Sequence, residues 1–259
     1  MITRGIRELY VLEKLSRGGT AVHRLHPAAK LIVAVVFIAC VASFDRYAVL
    51  RLAPYIFYPT LMMAISETPY AILLKRFAFA LPFCVFTGVV NIASDRAAAV
   101  QFYGMTVSFG TVSFISVLFR AYLCVMAVLI LISVTPVREL TDSMRRLKIP
   151  YVFAMLFEMT YRYIGVLFEE AYTMYAAYSL RRAKKGLGMK DAGSFAGHLL
   201  LKSLDRAERI YNAMKCRGYA LREFPAQSTR FALRDYAFLT VACSLCLTFR
   251  YVDIYAAFL

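Results

Sequence analysis

The hydropathy layout constrains this chain more than any other feature. Apolar runs lie at about 28–44, 48–65 and 77–93. A fourth begins between Thr111 and Leu118 and ends at Val134, and a last one covers 236–258. Each approaches the roughly 20 helical residues that cross a hydrocarbon core. Backbone in lipid must satisfy its own hydrogen bonds, so such runs read as helices. With 61% hydrophobic residues the chain is not an ordinary soluble domain. The expected fold class is all-α: a polytopic membrane protein with about five transmembrane helices and a cytoplasmic helical insert. The expected division is a four-span membrane domain at 1–134, a cytoplasmic helical domain at 135–230, and a C-terminal transmembrane helix at 231–259 that packs with the first domain.

Charge orients this layout. Arg4, Arg7, Lys14, Arg17 and Arg24 precede the first run, Lys75 and Arg76 follow the second, and Lys and Arg crowd 135–235. The loops at 45–47 and 94–110 are poor in both. The positive-inside rule then puts the N-terminus in the cytoplasm and the C-terminus outside. That asymmetry accounts for the net charge of +15 without a nucleic-acid partner; the bilayer is the partner implied. The N-terminus has no apolar run followed by a small-residue cleavage site, so no cleaved signal peptide is expected. Arg51 and Arg120 fall inside apolar runs. An intramembrane arginine is a functional-site candidate by default, but both lie near the outer ends of their helices and can snorkel there.

Catalytic signatures are missing. The sequence has no G-x-x-x-x-G-K-[ST], H-E-x-x-H or G-x-S-x-G pattern. His23 and His26 lack a third ligand nearby and read as capping or interfacial residues, and the six cysteines have no metal-ligand layout. Cys243 and Cys246 read as packing residues. Glu169 and Glu170 are adjacent and do not face one another on a helix, so they belong to a solvated or interhelical face. Glu158 and Arg162 are i,i+4 partners. No enzyme, metal or other cofactor is expected.

The 135–230 region carries the most specific pattern. Thr135-Pro136 reads as a capping threonine with proline at the first helical position. A helical pattern runs from Pro150 to about Lys185, and another follows a basic linker. In the second, Leu200, Leu204, Ala207, Tyr211 and Met214 form one apolar stripe, expected to pack against the 150–185 helix. Lys202, Arg206, Arg209 and Lys215 lie off it. Gly218 supplies the left-handed residue that ends many helices, and Arg217 sits on the last turn, where a cation suits the helix dipole. Ala177-x-x-x-Arg181-Arg182 and Ala213-x-x-x-Arg217-Gly218 repeat one motif at two helix ends.

These residues resemble the T component of energy-coupling factor transporters, most closely the cobalt-type CbiQ branch. Leu25-His26-Pro27-Ala28-Ala29-Lys30-Leu31 is similar to the family's opening L-D-P-R-x-K-L, with His26 and Ala28 departing from it. Thr135-Pro136 with Arg145-Arg146-Leu147-Lys148-Ile149-Pro150, and Tyr161-Arg162-Tyr163 with Glu169-Glu170-Ala171, resemble its cytoplasmic helices. The run from Ser203 to Tyr219, through Ala213 and Cys216-Arg217-Gly218, matches most specifically. The resemblance implies a non-catalytic coupling subunit in a bacterial or archaeal cytoplasmic membrane. Its two arginine motifs would dock on two ABC-type ATPase subunits and pass movement to a substrate-binding membrane subunit, the CbiM-like S component, for cobalt uptake. Cys216, Arg217 and Gly218 carry the second motif over. Either Arg181 or Arg182 carries the first, which lacks the alanine and glycine. Two readings stand beside this one: a permease whose own spans, with Arg51 and Arg120, line the substrate path, and nickel or a vitamin as the cargo.

Overall fold

A computed structural model describes residues 16, 18–45, 49–94, 101–102, 105–106, 109–147, 149–181, 188–219 and 231–251. Its helices are α1 (Pro27–Ala42), α2 (Val49–Leu52), α3 (Phe57–Ser66), α4 (Tyr70–Ser94), α5 (Phe109–Val134), α6 (Val137–Arg146), α7 (Tyr151–Arg181), α8 (Met189–Cys216) and α9 (Leu233–Tyr251). Among the described residues, a two-residue antiparallel ladder, Gln101–Phe102 on Met105–Thr106, is the exception to helical structure. Two compact units emerge: described residues within 144–228 form one, and those within 12–143 and 229–259 the other.

In the larger unit, α5 packs against α1 and α4, and α9 packs against α1. Val33, Phe37 and Val41 of α1 meet Leu123, Met126, Ile130 and Val134 of α5 in one buried cluster. Aromatic contacts extend it, with the Phe37 and Tyr58 rings stacked 4.5 Å apart and Tyr55 donating its hydroxyl hydrogen to the Cys246 carbonyl at 2.8 Å. Gly88 lets α4 approach α5, because a Cβ there would lie 2.3 Å from Cδ2 of Phe114.

Among the described residues two helices, over Tyr70–Val90 and Gly110–Val134, are long and apolar enough to cross a membrane; α1 is apolar but shorter. The span expected at 77–93 starts earlier, at Tyr70, so Lys75 and Arg76 lie within α4 rather than before it. The run at 48–65 is not one helix. Pro54 has no N–H to donate, and a 3-10 turn at Ala53–Ile56 separates α2 from α3.

Cations tie α1 and α5 end to end. Lys30 of α1 donates from Nζ to the carbonyl of Val134, the last residue of α5, at 3.2 Å. In the opposite sense, Arg120 of α5 donates to the carbonyls of Phe44 and Asp45, just beyond α1, at 2.7 and 3.0 Å. Arg250 of α9 adds a bond to the Ser43 carbonyl at 3.2 Å and lies over the Phe44 ring. The last carbonyls of a helix have no partner within it, and its C-terminus carries partial negative charge. Lys30 therefore caps the C-terminus of α5, while Arg120 holds the chain just beyond α1. Arg120, expected near the outer end of its run, is instead the twelfth of the 26 residues of α5, with its guanidinium on the Phe44 and Asp45 carbonyls.

Candidate functional site

In the smaller unit α7 and α8 form an antiparallel hairpin. Three side-chain contacts step in opposite directions along the two helices. The Tyr219 hydroxyl reaches the Met155 sulfur at 2.7 Å, Glu170 takes Arg206 at 2.6 Å and also Lys202, and Tyr178 donates to Asp191 at 2.7 Å. The carboxyl of Glu170 is held below the ordinary glutamate range, first by its bond from Lys202 and further by the Arg206 charge, against an opposing push from burial. Glu158 takes Arg145 at 3.0 Å rather than Arg162, whose guanidinium lies over the Tyr163 ring.

Of the stripe expected to pack on α7, Met214 is partly covered, while Leu200, Leu204, Ala207 and Tyr211 are exposed. Leu200, Leu204 and Tyr211 are 59%, 54% and 53% exposed. The covered side runs instead through Phe195, Leu199, Ser203, Arg206, Ile210 and Met214, about a quarter-turn round the helix. Apolar residues occupy a wider arc than one partner covers, and the Glu170 bridge to Lys202 and Arg206 selects the flank. Lys202, read as an off-stripe position, is exposed and reaches the Glu170 carboxylate from the rim of that flank.

The end of α8 is a two-bond glycine cap. Gly218 has φ +76°, its N–H donates to the Lys215 carbonyl at 3.0 Å, and the N–H of Tyr219 donates to that of Met214 at 3.0 Å. This pairing is the Schellman motif, which needs a left-handed residue after the cap. Arg217 is the capping residue itself, and its N–H reaches the Ala213 carbonyl at 3.2 Å. Ala213, Cys216, Arg217 and Gly218 are all exposed on this rigid tip. At the other end of the hairpin, Arg181 is the exposed last residue of α7, and Arg182 lies outside the described residues. From the pairs near each end, about 26 residues of helix separate Arg181 from the Arg217 end, or about 40 Å at roughly 1.5 Å per residue. The two arginine motifs therefore lie at opposite ends of the hairpin.

A second constellation, missed from sequence, lies where α1, α5 and α9 begin or end. His26 caps α1: its Nδ1 accepts the Ala28 N–H at 3.1 Å. Its own N–H donates to Oδ1 of Asp235 at 2.9 Å, and its ring stacks on Phe231. Asp235 was legible only as an acid in the first turn of α9; its partner 209 residues away was not. His23 lies against Thr20, with Oγ1 2.6 Å from Nδ1. Among the described residues no group of three His, Cys, Asp or Glu side chains could hold a metal. The expected Thr135 cap is displaced by one residue. Thr135 Oγ1 is buried without a hydrogen bond, and the Pro136 carbonyl accepts from Leu140 at 3.0 Å, so Pro136 precedes the helix.

The CbiQ family profile, described as cobalt transport protein, matches residues 18–227. Curated relatives agree with it. An energy-coupling factor transporter transmembrane protein EcfT from Bacillus subtilis is 26% identical over 230 residues, covering 81% of this chain and 84% of that protein. The EcfT of Ruminiclostridium cellulolyticum is 24% identical over 220 residues, covering 78% and 80%. That of Bacillus selenitireducens is 26% identical over 220 residues, covering 78% and 81%.

Proposed function

The chain belongs to the CbiQ family and is a T component of energy-coupling factor transporters, and from that premise we propose that it couples two cytoplasmic ATPase subunits to a substrate-binding membrane subunit. The observation that carries the reading is the hairpin with an exposed arginine at each end. Arg217 on its capped tip and Arg181, or Arg182 beside it, would each enter an acidic groove on one ATPase subunit, where a planar guanidinium makes paired bonds to carboxylate that lysine cannot. ATP-driven closure of the ATPase pair would then change the distance between grooves and move the hairpin. The chain itself transmits movement and performs no catalysis.

In this reading five helices span a bacterial or archaeal cytoplasmic membrane, with the N-terminus inside. Residues 1–134 and 231–259 make the membrane part and 135–230 the cytoplasmic coupling part. The family description favours cobalt as cargo, delivered by a CbiM-like S component. The permease alternative loses support because Arg120 is engaged with the Phe44 and Asp45 carbonyls. Co-purification tests the proposal: the chain, tagged and co-expressed with its ATPases, should retain both, and Arg181→Ala/Arg217→Ala should retain neither. Retention of both by this variant and also by Arg182→Ala/Arg217→Ala would overturn it.

A further inference from the structure

The chain passes between the two compact units by two connections, or roots. After Val134 the outgoing root runs into α6; the returning root leads through Phe231 into α9. Both roots close on the first turn of α1. Lys30, 2% exposed, donates to the Val134 carbonyl at the outgoing root. Asp235, 3% exposed, holds the returning root: Oδ2 accepts the Ala232 N–H at 2.8 Å while Oδ1 accepts the His26 N–H. Phe231 lies on the His26 ring at 4.1 Å. The charges of Asp235 and Glu139 both act on the Lys30 ammonium.

We infer that Lys30 and Asp235 are positioning residues of a clasp that fixes both roots to α1, and that movement of the coupling part reaches the membrane helices through this clasp. The inference rests on the coupling function proposed above. Apolar contacts slide with little change in energy, whereas a buried charge has few acceptable positions; burial of charge serves register better than stability. The clasp unites the start of α1, the end of α5 and the start of α9, which are remote in sequence.

The test uses the complete transporter in liposomes, with nitroxides introduced as non-canonical amino acids at Asp45, beyond α1, and at Ser194, in α8. The distance between them is measured without nucleotide and with ATP plus vanadate. Lys30→Met/Asp235→Asn removes both charges together and keeps an oxygen acceptor for one of the two backbone N–H groups. The wild type should show a nucleotide-dependent shift. The double variant should co-purify with its ATPases as wild type does, with the shift at least halved. A full wild-type shift in the double variant would overturn the clasp. Should that variant not accumulate, Asp235→Asn is read in the same way; failure of both to accumulate would make these residues folding elements and overturn the inference. A wild type without any shift would instead contradict the coupling function itself.

Discussion

Arg206 of α8 reaches the Glu170 carboxylate of α7 at 2.6 Å, and Lys202 joins it one turn earlier, so a single acid holds the middle of the hairpin. Because bonding lowers the pKa of Glu170 on folding, its contribution is present above the ordinary glutamate value and is lost as pH falls through the lower folded value. Amide protection factors across 199–210, corrected for the intrinsic pH dependence of exchange, should therefore fall on acidification below the glutamate range. Glu170→Gln should exchange faster at neutral pH and show less of that acid dependence. Identical profiles would remove Glu170 from the hairpin's support.

The same bridge reverses the roles that periodicity assigns on α8. Lys202→Asp places a second carboxylate against Glu170 and should lower accumulation in the membrane, while Leu204→Asp alters an exposed position and should accumulate normally. Immunoblots of membrane fractions give the comparison. Poor accumulation of Leu204→Asp alone would return the stripe to the interface with α7.

Arg120→Met should destabilise the membrane unit by about 1–3 kcal/mol, since carbonyls at the end of α1 lose a charged donor. Thermal unfolding in detergent reads this. A variant as stable as wild type that no longer transports would place Arg120 on a substrate path after all.

What was legible in the sequence follows from how local the physics is. The end of α8 could be read because a glycine after a periodic helix carries its own instruction, and φ +76° at Gly218 fulfils it. The α1 start was legible too, and there His26 takes the place of the family's aspartate by offering Nδ1 to the Ala28 N–H. The covered face of α8 was not legible, because Leu199, Ile210 and Met214 are as apolar as Leu200 and Leu204. Nor could sequence name the partners of Arg120 and Lys30: both bind main-chain carbonyls, and every residue has one. The interrupted helix at 48–65 was half legible, since Pro54 marks a break without saying whether neighbours bridge it.

The central claim is that Arg217 and the Arg181–Arg182 pair are two anchors on two ATPases, at opposite ends of one hairpin. Losing a charge-assisted, partly buried contact costs about 2–5 kcal/mol, and two linked anchors hold together when one fails. Arg217→Ala should therefore accumulate and co-purify with the ATPases while losing transport, and Arg217→Lys should recover only part of it. Co-purification of Arg181→Ala/Arg217→Ala is the most direct measurement: the account predicts that the ATPases are lost while the membrane protein accumulates as in wild type. A double variant that still brings both ATPases down and transports at the wild-type rate would contradict it.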